Sequence, residues 1–289
     1  MIQFANENTA SLVRQMWKIS FGDTDEYLDI LFSYKYENEN TLIYFEGDKA
    51  VASLQMLPYT VNFYRTQIPF AYLAGLCTLP EYRNRGYMTQ LIHEAHKVLE
   101  ERNIPLAILI PAEDSLYDYY RRFNYEQVFE KDDYIIPLKE IVDTYENEDD
   151  AYVAFDSLFR YKDFCVQKSK TDFRAIIEDY KLDNFPDKTN LSGMARITDP
   201  WLLLNIYAKD NLQKEFRIKV IDKENNKAET YDICRGNVEL ILTSDKEADI
   251  EVDSLLLCRL LFGFKIDELD PSFSYFFDKH HPIMNLMLE

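Results

Sequence analysis

The densest chemistry in this 289-residue chain lies in Arg83-Asn84-Arg85-Gly86-Tyr87-Met88. Two guanidinium groups precede one glycine, the residue type that lets a chain turn tightly enough to enter a helix straight from a loop. From Met88 onward, Leu91, Ile92, Ala95, Val98 and Leu99 recur at three- and four-residue steps, which predicts an amphipathic helix. The first N–H groups of a helix have no intrahelical acceptor, so the loop offers a site for a phosphate or pyrophosphate. The same residues also fit an ordinary strand-to-helix loop with solvent-facing arginines. His93 and His96 stand three apart on the predicted helix, but no third ligand appears at a matching spacing, so a polar helix face and no metal are expected. Cys77, Cys165, Cys234 and Cys258 share no metal or redox spacing. Cys77 falls in a predicted buried strand without a neighbouring histidine and is not read as a nucleophile.

The elements that must position this loop can be read in order. Residues 2–4 predict a short strand and residues 9–19 a helix with Leu12, Val13, Met16 and Trp17 on one face. After a break at residues 21–24, Thr24 can cap a second helix through Phe32, with Asp25 and Glu26 in the dipole-favoured first turn. Strands follow at 42–45, 51–57 and 61–64, with Glu46-Gly47-Asp48-Lys49 as a hairpin turn, and a further strand runs to Cys77, where Pro80 stops it. Residues 104–110 predict a buried strand, Ser115 opens a helix, and 125–129 and 133–137 read as two more strands.

Residues 138–190 carry helical patterns around an acidic run at 145–150. Residues 191–289 alternate strands and helices: a strand at 193–197, a helix at 201–209, three strands, and a helix at 254–262.

Composition bounds the partners. With 47% hydrophobic and 15% aromatic residues, the chain can fill two cores, and its length suggests about two domains. Thirty-two basic against 51 acidic side chains leave a net charge of −19, which repels nucleic acid and anionic membranes. It attracts cationic small molecules, or it serves only solubility. The first seven residues lack the basic-then-apolar signature of a signal peptide, and no apolar run approaches membrane-spanning length. A cytoplasmic protein without membrane insertion is expected, with its cysteines reduced.

The loop resembles the acetyl-CoA-binding motif of the GNAT N-acetyltransferases, Arg/Gln-x-x-Gly-x-Gly/Ala, with the lead-in Pro80-Glu81-Tyr82-Arg83. Met88 departs from the final Gly/Ala, which points to the Eis-like (enhanced intracellular survival) group. A second stretch, Tyr119-Tyr120-Arg121-Arg122-Phe123-Asn124-Tyr125, is similar to that family's Tyr-x-Arg-Phe-Gly-Tyr. Asn124 replaces the glycine, and Asn also tolerates the left-handed conformation. The patterns at 216–222, 230–234, 248–252 and 260–263 resemble the sterol-carrier-protein-like domain of Eis-like chains. The implied fold class is α+β. A GNAT domain with a mixed, mostly antiparallel sheet flanked by helices spans 1–137, a shortened helical connector 138–190, and a sterol-carrier-protein-like α+β domain 191–289.

The resemblance implies acetyl-CoA as co-substrate and a small-molecule amine as acceptor, of aminoglycoside, polyamine or lysine type. No metal is implied, and homo-oligomerisation is left open. By position, Leu76, Cys77 and Thr78 would pair their backbone with the pantetheine arm. Arg83, Asn84, Arg85, Gly86, Tyr87 and Met88 would hold the pyrophosphate, and Ser115 would lie near the CoA. Tyr120 would protonate the departing thiolate; its other reading is an aromatic core layer with Tyr117, Tyr119 and Phe123. Asp23, Asp25 and Glu26 would border the acceptor cleft, or serve only as exposed cap residues. The carboxylate of Glu289 would act as general base, brought in by the apolar residues 282–288, with His280 and His281 as alternatives. The competing reading of the whole chain is a lipid-binding protein whose GNAT domain binds CoA without catalysis.

Overall fold

β1 (Ile2–Phe4) leads into α1 (Ala10–Phe21), which ends at Gly22 in a left-handed conformation with φ +78°. Thr24 caps α2 (Asp25–Tyr34) by accepting from the Tyr27 N–H. β2 (Thr41–Glu46) turns at Gly47 into β3 (Lys49–Phe63), and β4 (Thr66–Thr78) returns beside it. Then come α3 (Tyr87–Glu101), β5 (Leu106–Leu109), α4 (Ser115–Arg121) and β6 (Glu126–Phe129). The computed structural model describes residues 1–242 and 247–288.

Two expectations are corrected here. Residues 51–57 and 61–64 form one continuous strand, β3, rather than two. Pro58 does not break it, because β2 pairs no further than Gln55, so the missing N–H lies where that neighbour has already ended. Residues 133–137 form no strand. The charged run Glu130-Lys131-Asp132-Asp133 turns instead, with Asp132 accepting from the Tyr134 N–H, and Ile136 N–H reaches Lys188 O. The place beside β6 is taken by β8 (Gly193–Ile197), which pairs with both β5 and β6.

Residues 130–192 are thus an excursion from the sheet. They hold α5 (Leu138–Thr144), α6 (Glu148–Ser157), β7 (Val166–Gln167) and α7 (Lys170–Leu182). The helices share a core around Phe155, Phe159, Phe173 and Ile176. β7 returns to pair with Thr60 and Val61 of β3, so the helical segment is laced into the first sheet. The sheet order is β1-β2-β3-β4-β5-β8-β6, with β4 and β5 its parallel pair.

The remainder is an α+β unit. α8 (Pro200–Asp210) and α9 (Ser254–Leu261) accompany a sheet ordered β11-β10-β9-β12, from β9 (Glu215–Asp222), β10 (Lys227–Cys234), β11 (Asn237–Ile241) and β12 (Ile250–Asp253). Its interior holds the rings of Tyr207, Phe216, Tyr231 and Phe277.

The final segment passes through the interior. Ile283 exchanges backbone hydrogen bonds with Phe164 and Val166, Leu191 N–H donates to Met284 O, and Met284, Leu286, Met287 and Leu288 are buried. Among the described residues, no helix is long and apolar enough to cross a membrane.

Candidate active site

The site begins where β4 stops pairing. Ser53 faces Cys77 and Gln55 faces Ala74, so Leu54 of β3 stands opposite both Gly75 and Leu76. This is a β-bulge, which leaves one residue out of the ladder and bends the strand. Gly75 holds φ +59°, and a Cβ there would lie 2.2 Å from the Trp17 ring. Glycine is therefore required twice over, by conformation and by space. β4 and β5 register only at Ala71–Ala107 and Tyr72–Ile108, while β4 runs on to Thr78. The two strands part at that point and leave their facing backbone groups open to an extended, amide-bearing arm.

Past the bulge, residues 79–86 carry the chain to α3. Asn84 and Gly86 both adopt positive φ, +62° and +77°, and Gly86 is the N-cap residue. No side chain caps α3 and no acidic residue stands in its first turn. Its leading N–H groups and the positive end of its dipole are free to meet an anion.

Arg83 donates from Nε to Thr78 O, at 3.2 Å. Arg85 donates to Glu81 O and to Glu46, and stacks over Tyr82. Tyr87 donates its hydroxyl to Glu46 and stacks on Tyr44. Met88 and Leu76 pack against the core that contains Tyr120. Cys77 turns its thiol to the opposite side of the sheet, against Ser53 Oγ at 3.2 Å, and burial pushes that thiol up from its ordinary value. Thr78 closes the strand, and Ser115, at the start of α4, donates to Glu113 at 2.6 Å.

Tyr120 is 7% exposed, packed edge-on to Tyr119 at 5.2 Å and to Tyr125 at 6.1 Å. Burial raises its phenol above the ordinary value, with the neighbouring Tyr119 adding to the effect. The group stays protonated at any working pH and can act as a donor but not as a base.

On the α1–α2 side of the bulge lies a cleft of about 600 Å³. Asp23, Glu26, Asp179, Asp183 and Lys188 bring its charges, and Tyr27, Tyr180, Leu191, Leu286 and Met287 its rings and aliphatic chains. Trp17, whose ring sits on Gly75, donates its indole N–H to Asp23 at 2.7 Å. One side chain therefore spans from the bulge to the cleft. The Asp179 carboxyl is pushed up to about 6, first by burial and then by the charges of Asp183 and Asp23, against the opposing pull of Lys188.

The structure brings Asp23 and Glu26 to this cleft. Asp25 is instead paired with Lys18 and Arg14. Glu289 lies outside the described residues, while Leu286 and Met287 just before it line the cleft. Lys168, buried behind them, contacts Met287 Sδ at 3.2 Å, and burial pushes its amine down to about 7. His280 stacks on Phe164 at 4.2 Å, away from the cleft lining.

Sequence reasoning missed Asp179, Asp183, Gly75 and Trp17. A signal existed for Asp179, which lies between Ile177 and Tyr180 on the apolar face of α7, where an acid must be either buried or lining a cavity. It also missed a partner for the two histidines. His93 Nδ1 and Glu224 Oε1 are 3.0 Å apart, and His96 lies beside them.

Residues 2–128 match the acetyltransferase (GNAT) domain family. Three solved structures are similar over nearly the whole chain. An Enterococcus faecalis protein described as a probable N-acyltransferase shares 15% identity at a TM-score of 0.67, covering 98% of each chain. A GCN5-related N-acetyltransferase from Anabaena variabilis shares 14% at 0.62, covering 90% of this chain and 89% of its own. Eis1 from Mycobacterium abscessus shares 12% at 0.62, covering 99% and 98%. No curated protein sequence matches the chain. Residues 2–128 therefore carry a GNAT acetyltransferase domain, and the chain as a whole shares the fold of these proteins.

Proposed function

We propose that the protein transfers an acetyl group from acetyl-CoA to a primary amine of a small cationic acceptor, in the manner of Eis-like enzymes. The observation that carries this reading is the acidic cleft, reached from the β4 bulge through the single side chain of Trp17. Four carboxylates against one lysine favour an ammonium-bearing ligand over a neutral or anionic one.

The roles follow from charge and position. Acetyl-CoA supplies the activated acyl group as a thioester. The bare N-terminus of α3, with Arg83 beside it, neutralises the pyrophosphate, and the parted strands β4 and β5 take the pantetheine arm. Asp23 and Glu26 hold the cationic acceptor. Asp179, ionised above about pH 6, removes the proton that the attacking amine must lose. Glu289, the base expected from the family resemblance, lies outside the described residues, and Asp179 takes that role here. The amine nitrogen bonds to the thioester carbon, the C–S bond breaks, and Tyr120 donates its proton to the leaving thiolate, whose pKa resembles a cysteine's at about 8.5.

The lipid-carrier reading is less well supported. The C-terminal domain on which it depends has its interior occupied by packed rings, with Tyr207 and Phe277 at 5.1 Å and Phe216 and Phe277 at 5.6 Å. The sterol-carrier likeness of that domain remains part of this proposal.

The test is thiol release from acetyl-CoA over a panel of polyamines, aminoglycosides and lysine peptides, with Tyr120→Phe alongside. Amine-dependent release is expected, with Tyr120→Phe lowering turnover by about 10²-fold at unchanged CoA affinity. Release that ignores acceptor charge would sink the reading of the cleft. Lipid co-purifying with the chain, and no release on any amine, would favour the carrier.

A further inference from the structure

We propose that His93, His96 and Glu224 form a binding site for a first-row divalent transition ion, Zn²⁺ foremost, that clamps the C-terminal sheet to α3. One ring nitrogen of each histidine and one carboxylate oxygen of Glu224 lie within 4.8 Å of one another. The closest pair, His93 Nδ1 and Glu224 Oε1, is 3.0 Å apart. A tetrahedral ion with bonds of about 2.0–2.2 Å sets its ligands about 3.3 Å apart, so small side-chain rotations complete the set. The two histidines share one helix face, and Glu224 arrives from the β9–β10 turn.

Two features mark this as more than a chance cluster. His96 is 4% exposed and its Nδ1 has no partner, while its Nε2 lies 3.0 Å from the Tyr125 hydroxyl. With the proton on Nε2 and donated to Tyr125, Nδ1 keeps a buried lone pair and no use for it. A histidine that donates one N–H while the other nitrogen stays bare is the arrangement metal ligands have. The carboxylate is held in the same way. Arg196 and Asn124 both donate to Glu224 Oε2, which fixes the rotamer and leaves Oε1 directed at His93. The Arg196 guanidinium works against a cation and weakens its binding. His93 is half exposed, which opens an entry path and leaves a coordination position for water.

None of this depends on the acetyltransferase reading. The site lies where α3 meets the C-terminal sheet, and its ligands come from both. An ion there would tie that sheet to the helix whose other end faces the anion site.

The test is titration of the chelator-treated full-length protein with Co²⁺ and Zn²⁺, against His93→Ala and Glu224→Gln. His93→Ala removes a half-exposed side chain, and Glu224→Gln keeps shape and its bond from Asn124, so one readable variant survives if the other folds poorly. We expect one ion per chain, the intense visible bands of tetrahedral Co²⁺, and affinity at least tenfold lower in each folded variant. Zn²⁺ should raise the melting temperature of the wild type and leave that of His93→Ala unmoved. Binding of equal strength in wild type and variants, or Co²⁺ spectra of the hydrated ion only, would overturn the site.

Discussion

α3 and α7 begin and end in opposite ways. α3 starts at a bare Gly86, with no side-chain cap and no acid in its first turn. α7 starts with a complete capping box, in which Ser169 and Asp172 satisfy each other's backbone N–H groups. At the other end α7 carries Asp179 in its last turn and Asp183 as its C-cap residue, where the helix dipole is already negative. Each helix gives up favourable electrostatics at the end that faces the cleft or the donor loop. Under the proposed function, α3 leaves positive potential unspent for an anionic donor, and α7 stacks negative potential for a cationic acceptor. A helix end that breaks the capping rules is thus a better guide to function than one that obeys them.

The comparison can be broken first at α3. Gly86→Asp places a carboxylate at the N-cap position, in a left-handed conformation that Asp tolerates. A carboxylate there opposes the pyrophosphate, and CoA affinity measured by calorimetry should fall by about tenfold. At α7, Asp179→Asn should raise KM for cationic acceptors several-fold and remove a rise in kcat/KM with pH near 6. The sign follows from the raised pKa, since the carboxyl ionises only as pH climbs past about 6 and neither attracts nor deprotonates an ammonium below that. For stability the same shift works in reverse. The folded state holds this proton longer than the unfolded chain, so folding weakens as pH rises from about 4 to 6, and the variant should lose that slope.

Ser169→Ala sharpens the contrast as a control. It should cost about 1 kcal/mol of stability in denaturant titration, with CoA and acceptor binding unchanged. The smallest effect is expected at Asp183→Asn, which relieves an unfavourable charge at a helix C-terminus. It should stabilise the fold by about 0.3 kcal/mol and still weaken the acceptor, a gain in one property against a loss in the other.

What could be read in advance was whatever depended on near neighbours in the chain. The Arg83 to Met88 loop, the Thr24 cap and the left-handed Asn124, which has φ +60°, are set by local sterics and helix-end chemistry. The break expected near Pro58 failed because a proline's effect depends on which neighbouring strand would have used its N–H, and that is a property of the sheet. The strand expected at 133–137 failed because β8, from far along the chain, takes the place beside β6, while the charged run at 130–133 turns the chain away.

The sequence by itself determined the loop at residues 83–88, the helix that follows it and the excess of negative charge. Backbone conformation at Gly86 and the period of the apolar residues are short-range quantities. Only the tertiary structure decided where that negative charge is used. Asp23 and Glu26 come from the first helices, Asp179 and Asp183 from the excursion, and Leu286 and Met287 from the far end of the chain. The raised Asp179 carboxyl exists because burial and converging like charges act through space. Neither has a signature in residue order.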